Sequence, residues 1–150
     1  MPRRRSRKLA LTILLVAAFT LACDPIFTLP GGELDGELKS TPANWDFTKA
    51  VDTIQLETNP DDPYSVNIWC VATEQALYVA GSKESQWTQN VSADGRVRLR
   101  VGEDLYELMG SEANSDSDVA AFVAAAAEKY GFEMEEGQRE SAILFQLKPR

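Results

Sequence analysis

Alternation of apolar and polar positions is clearest in RVRLRV, residues 96–101. Val97, Leu99 and Val101 fall on one face and Arg96, Arg98 and Arg100 on the other, the period-two signature of a half-buried strand. A two-residue loop at Glu103-Asp104 would set Val101 opposite Tyr106, Leu99 opposite Leu108 and Arg100 opposite Glu107, with apolar pairs on one face and the charge pair on the other. Upstream, VDTIQLET (51–58) alternates imperfectly and leaves its buried face open, and NPDDP (59–63) is strong turn chemistry. YSVNIWCVA (64–72) is dense in β-branched and aromatic residues, and TEQ joins it to ALYVAG (76–81) as a hairpin. SAILFQLKPR (141–150) predicts a last strand, and GELDGELKS (32–40) a short edge strand.

A period near 3.6 appears once at length. Ser115 or Ser117 caps a helix that runs through DVAAFVAAAAEKY to Tyr130, with Asp116 and Asp118 at its positive end and Gly131 as terminator. Val119, Phe122, Val123 and Tyr130 lie near one face, enough to pack on a sheet. In QWTQNVSADG, Trp87 and Val91 share a face of a short helical turn that Asp94-Gly95 ends. GFEMEEGQRE reads as a polar connection. Strands, one helix in the C-terminal half and a final strand, without βαβ alternation, predict a mainly β (α+β) fold with an antiparallel barrel or sheet.

The first 22 residues stand apart. MPRRRSRK is cationic, and LALTILLVAAFTLA (9–22) is an uncharged run of 14 residues, shorter than the roughly 20 a spanning helix needs, so 1–22 reads as a signal peptide. TLAC (20–23) resembles the lipobox of bacterial lipoproteins, with small Ala22 before Cys23, although Thr20 stands where a larger aliphatic residue is usual. The resemblance implies lipidation of Cys23, a tether over 23–44 and a domain over 45–150. Asp24 after Cys23 resembles the signal for retention on the inner membrane, facing the periplasm. Ordinary cleavage after Ala22 would instead give a secreted or periplasmic soluble protein. Arg3, Arg4 and Arg5 lack the pattern that follows a twin-arginine signal.

Removing residues 1–22 takes away five of the 15 basic residues and no acids, leaving 10 against 23 acids, a net charge of 10 − 23 = −13 over 128 residues. Such a surface repels nucleic acid. The chain has no histidine, which removes Ser–His–Asp and Cys–His chemistry and histidine-held zinc. The acidic pairs Asp61-Asp62 and Glu135-Glu136 are expected by chance among so many acids. NSDSD (114–118) lacks the glycine and distal glutamate of an EF-hand loop, so no metal is expected. With Cys23 lipidated, Cys70 is a lone thiol in an apolar strand and reads as a small core residue.

SVNIWCVATEQALYVAG, then Trp87, Asn90, Val91 and Ala93, a turn and VRLRV, followed by AAFVAAAAEKYG and SAILFQLKPR, resemble the split β-barrel flavin-binding families over residues 45–150. These include pyridoxamine-phosphate-oxidase-like proteins and deazaflavin-dependent nitroreductases. The resemblance implies a six-stranded antiparallel split barrel, a homodimer, and FMN or a deazaflavin in the dimer cleft. The cofactor phosphate would approach Gly81, Ser82 and Lys83, Trp87 and Asn90 would border it, and Asn67 or Trp69 would meet the ring. Three positions depart from the pattern. Trp87 replaces a common Arg or Lys, NPDDPYS is acidic where the deazaflavin branch is basic, and Asp94-Gly95 replaces a residue-proline turn.

Two functions follow from this reading, a membrane-anchored oxidoreductase binding flavin or deazaflavin, and a cofactor-free envelope lipoprotein acting as a structural or interaction module. A third is an acidic protein that binds some other small ligand. For the arginine face of 96–101, a solvated surface offsetting nearby acids stands beside an anion site.

Overall fold

The computed structural model describes residues 31–74 and 76–150. The expected signal peptide, Cys23, Asp24 and the expected tether up to residue 30 lie outside the described residues. In chain order the elements are β1 (Glu37–Leu38), a 3-10 turn (Asp46–Ala50), β2 (Ile54–Thr58), β3 (Tyr64–Ile68), β4 (Val71–Ala72) and β5 (Leu77–Ser82). Then come α1 (Gln86–Ala93), β6 (Arg96–Val101), β7 (Asp104–Glu112), α2 (Asp116–Tyr130), α3 (Gln138–Ser141) and β8 (Ala142–Pro149). The helix expected in the C-terminal half is α2, capped as its sequence predicts. The Asp118 amide donates to Ser115 Oγ at 3.2 Å, and Gly131 closes the helix in the left-handed region at φ +66°. The turn expected at QWTQN is a full helix, α1, and α3 lies in what reads as a polar connection.

The strand order is β3-β2-β6-β7-β8-β5-β4, antiparallel at each of these junctions, with β1 parallel to the start of β7. Its two ends are consecutive pieces of YSVNIWCVA. The chain leaves β2 where Ile68 faces Ile54, bends through Trp69 and Cys70, and joins β5 where Val71 faces Tyr78. The sheet therefore curls on itself into a split barrel of six strands if β3 and β4 are counted as one. Leu56, Leu77, Val79, Leu99, Leu108 and Phe145 fill the interior. Residues 31–44 also lie against this barrel: Gly31 bridges Ser65, and Leu34 is buried.

The bend frees backbone groups that a continuous ladder would pair, and the end of α2 satisfies them. The Cys70 amide donates to the Tyr130 hydroxyl at 3.4 Å, and that hydroxyl lies within donating reach of the carbonyls of Asp52 (2.9 Å) and Cys70 (3.1 Å). Lys129 Nζ donates to the carbonyls of Thr48 (2.8 Å) and Cys70 (2.9 Å). Cys70 is fully buried, as expected for a core residue, and burial pushes its thiol above the usual range although the Lys129 ammonium pulls the other way. YSVNIWCVA is thus not one strand, because barrel closure needs a break there.

The predicted β6–β7 register is also corrected. The turn is Gly102-Glu103, with Gly102 at φ +62°, and it sets Val101 opposite Asp104, Leu99 opposite Tyr106 and Val97 opposite Leu108. Glycine in the first central position is what a two-residue hairpin of this kind selects. The slip is two residues, so every side chain keeps its expected face while each cross-strand partner changes. Arg98, not Arg100, stands opposite Glu107.

On the outer face the arginines meet carboxylates and an amide. Arg98 forks onto the buried Glu57 through Nε and Nη2, both at 2.7 Å, and Glu57 also accepts the Leu34 amide at 2.5 Å. Arg100 donates to Gln55 at 2.5 Å. Asp94 is held at about 2, below its ordinary range, by the Arg96 guanidinium and backbone amide beside it.

Removing the clamp on the bend should cost stability. We expect Tyr130→Phe to lower the unfolding free energy by about 1–2 kcal/mol and Lys129→Met by about 2–3 kcal/mol, the range for buried backbone acceptors that lose a partner. Urea denaturation measures both, and two variants as stable as the parent would show that the bend does not depend on α2.

Candidate functional site

α2 packs across the outer face of β5 and β8 through Val119 and Phe122, against Tyr78, Leu144 and Ala80. Tyr78 also donates its hydroxyl to Asp118 at 3.1 Å. Toward its C-terminal end the helix presents Ala126, whose small side chain cannot fill the space over Val71 and Gly81. A cavity of about 310 Å³ results, walled by Trp69, Val71, Phe122, Ala126, Phe132 and Met134 and edged by Gly81, Ser82 and Gln138. An adjoining cavity of about 150 Å³ shares Ala80, Phe122, Met134 and Ala142 with it and reaches Lys83 and Arg139. The segment after α2 forms the outer wall, running from Gly131 to Gly137, both at positive φ.

Three of the residues implied as cofactor-binding come together here: Trp69, Gly81 and Ser82. Lys83 borders the adjoining cavity. Trp69 is 53% exposed and stacks on Tyr130, with ring centroids 4.4 Å apart and planes at 7°. The other three lie elsewhere. Asn67 is exposed on β3, opposite Gln55 and outside the cavity lining. Trp87 is buried in the barrel core beside Phe145. Asn90 donates to Thr58 Oγ1 at 3.0 Å and accepts from Gln86 at 2.8 Å, which ties α1 to β2. Phe122, Ala126, Phe132 and Met134, which make most of the wall, carry no motif. Their only sequence signal is the helical spacing of Phe122 and Ala126.

The loop AGSKES is folded onto itself and its neighbours. The Ser82 carbonyl accepts from the hydroxyls of Thr88 (2.7 Å) and Ser85 (2.9 Å), and Ser82 Oγ accepts the Glu84 amide at 3.2 Å. The Lys83 amide donates to the Ser141 carbonyl at 2.9 Å and its Nζ to the Glu140 carbonyl at 2.7 Å. Arg139 pairs with Asp116. The cavity wall is apolar and its rim is mixed in charge. Both bordering cations already have acceptors, and the carboxylates of Glu84 and Glu140 belong to the same stretch of surface.

The arginine face offers no better anion site. A cleft of about 280 Å³ contains Arg96, Arg98 and Arg150, but each is paired, with Asp94, Glu57 and Glu107 respectively. The run 114–118 serves as the cap of α2. No group of His, Cys, Asp or Glu suited to a metal occurs among the described residues.

No family model matches the chain, and no curated protein matches it. Solved structures do. HutZ, the heme storage protein of Vibrio cholerae, is similar with a TM-score of 0.58 at 19% identity, over 70% of this chain and 86% of its own. A Listeria innocua protein assigned as a pyridoxamine 5′-phosphate oxidase gives 0.57 at 16%, over 70% and 89%. A FAD-binding protein of Mesorhizobium loti gives 0.52 at 12%, over 70% and 86%. What they share with this chain is the split-barrel fold. At these identities the fold carries no ligand with it.

Gly81 has a packing role of its own. A Cβ there would run into the Trp87 ring, so Gly81→Ala should lower stability by about 1–3 kcal/mol. Thermal unfolding measures it, and an unshifted midpoint would mean that Trp87 can yield.

Proposed function

We propose that this protein is an exported, lipid-anchored split-barrel domain that works as a binding module in the bacterial cell envelope, without a phosphate-anchored flavin. The observation that carries the reading is at the rim of the cleft, where Lys83 donates to the Glu140 carbonyl and Arg139 to Asp116. A phosphate there would compete with these partners inside a surface that is already strongly acidic. Charge-assisted contacts are the strong ones a phosphate makes, and here each bordering cation shares its donors with a partner from the protein itself.

The anchor is supported by the cationic start, the 14-residue apolar run and Cys23 after Ala22. Asp24 favours the inner membrane, facing the periplasm, and without the lipid the same domain would be periplasmic or secreted. No helix among the described residues is long and apolar enough to cross a membrane. A homodimer, implied by the resemblance, is compatible with this reading.

One observation favours a second reading, a membrane-anchored oxidoreductase that binds FMN or a deazaflavin. Trp69, Gly81 and Ser82 do meet on one cavity. The visible spectrum of the full chain, purified from its own organism and titrated with FMN and a deazaflavin, separates the two. We expect no bound chromophore and no saturable binding; a stoichiometric yellow chromophore would establish the second reading and sink the first. For the anchor, Cys23→Ser should release the protein from membranes, and a variant that stays membrane-bound would overturn lipidation.

A further inference from the structure

We infer that the cleft between α2 and β5/β8 is a binding site for a flat, uncharged ring system. The inference rests on the reading that the rim holds no phosphate. The wall is aromatic and soft. Trp69 stands at the mouth and is held in place by its stack on Tyr130, Phe122 and Phe132 meet edge to face at 6.2 Å, and Met134 lies against both cavities. A rigid, half-exposed indole beside an apolar cavity offers a large contact area at little cost in side-chain entropy. At about 310 Å³ the cavity lies near the lower end of the range of small-molecule sites, about 300–1,000 Å³.

Polar groups sit only at the edge. Ser82 carries a hydroxyl and Gln138 an amide at the cavity rim, which suits carbonyl or ring-nitrogen atoms on the border of a flat molecule. The charge balance selects against an anion, for the reasons given at Lys83 and Arg139. The segment after α2 covers the space. It runs from Gly131 at φ +66° to Gly137 at φ +79° and places Phe132 and Met134 over the space, and methionine adapts readily to the shape of a guest. A ring of this kind could come from the aqueous envelope or from the membrane to which the chain is tethered.

The test uses the full chain in lipid nanodiscs and isothermal titration with three probes. Lumichrome is an uncharged tricyclic ring, 2,3-dimethyl-1,4-naphthoquinone is an uncharged membrane-soluble one, and FMN carries the phosphate. We expect saturable binding of lumichrome or the naphthoquinone, whichever is tighter marking the source, and no saturable binding of FMN. Trp69→Ala should weaken that binding about tenfold, the scale of one aromatic stack. Ala142→Leu, which fills the space shared by both cavities, should abolish it, with near-ultraviolet circular dichroism showing that both variants stay folded. Binding of neither uncharged ring, or binding untouched by both substitutions, overturns this inference and leaves the functional reading standing. Saturable binding of FMN overturns the functional reading itself.

Discussion

The two peptide units at Trp69 and Cys70 carry the structure. A sheet that closes on itself with these strand lengths needs one strand to serve two neighbours, β2 on one side and β5 on the other, and the changeover breaks the ladder. Buried backbone groups must find partners, and at Cys70 those partners come from residues about 60 positions away, Lys129 and Tyr130. The clamp does more than satisfy hydrogen bonds. It also holds the C-terminal end of α2 beside Trp69, where the helix borders the cleft. Closure of the barrel and one wall of the cleft therefore meet at the same contacts.

Charge on the outer face follows a related logic. The described chain is strongly acidic, yet Glu57 is buried and survives because Arg98 and the Leu34 amide reach it. An unpaired carboxylate at such a site would cost several kcal/mol, so the pairing is demanded by burial. The same pairing ties residues 33–34 to β2 and β6, which extends the barrel's support to the segment before it. Cations are scarce in this chain beyond residue 22, and each of those bordering a candidate site has an acceptor. At the rim of the cleft those acceptors are the Glu140 carbonyl for Lys83 and the Asp116 carboxylate for Arg139.

Local signals in the sequence were sufficient wherever local physics decides. Ser115, Asp116, Asp118 and Gly131 mark the ends of α2, and RVRLRV declares its faces, because caps and alternation act within a few residues. Gly102 passes for the end of a strand, which displaces the expected hairpin register by two positions, although its positive φ makes it the turn. The break in YSVNIWCVA left no trace, since its cause is closure with β5 and a clamp from α2, both distant in sequence. The cleft was half legible. Trp69, Gly81 and Ser82 follow from the family resemblance, whereas Phe132 and Met134 come from a stretch with a polar composition, and only the fold turns them inward. Lys129 and Tyr130 look like an ordinary basic, aromatic helix end, and nothing local says what they hold.

The departure at Trp87 is more than a missing cation. Where the resemblance expects Arg or Lys, the indole turns into the core against Phe145 and fills the volume that Gly81 leaves by having no side chain. The bareness of Gly81, which on the phosphate reading exists so that a ligand can approach the backbone, is used here from the other side. A lysine at 87 would have to bury an ammonium or swing outward and leave a void beside Gly81, each costly in a close-packed core. The indole at 87 and the bare backbone at 81 therefore form one packed unit, in which the side chain at either position limits what the other can be.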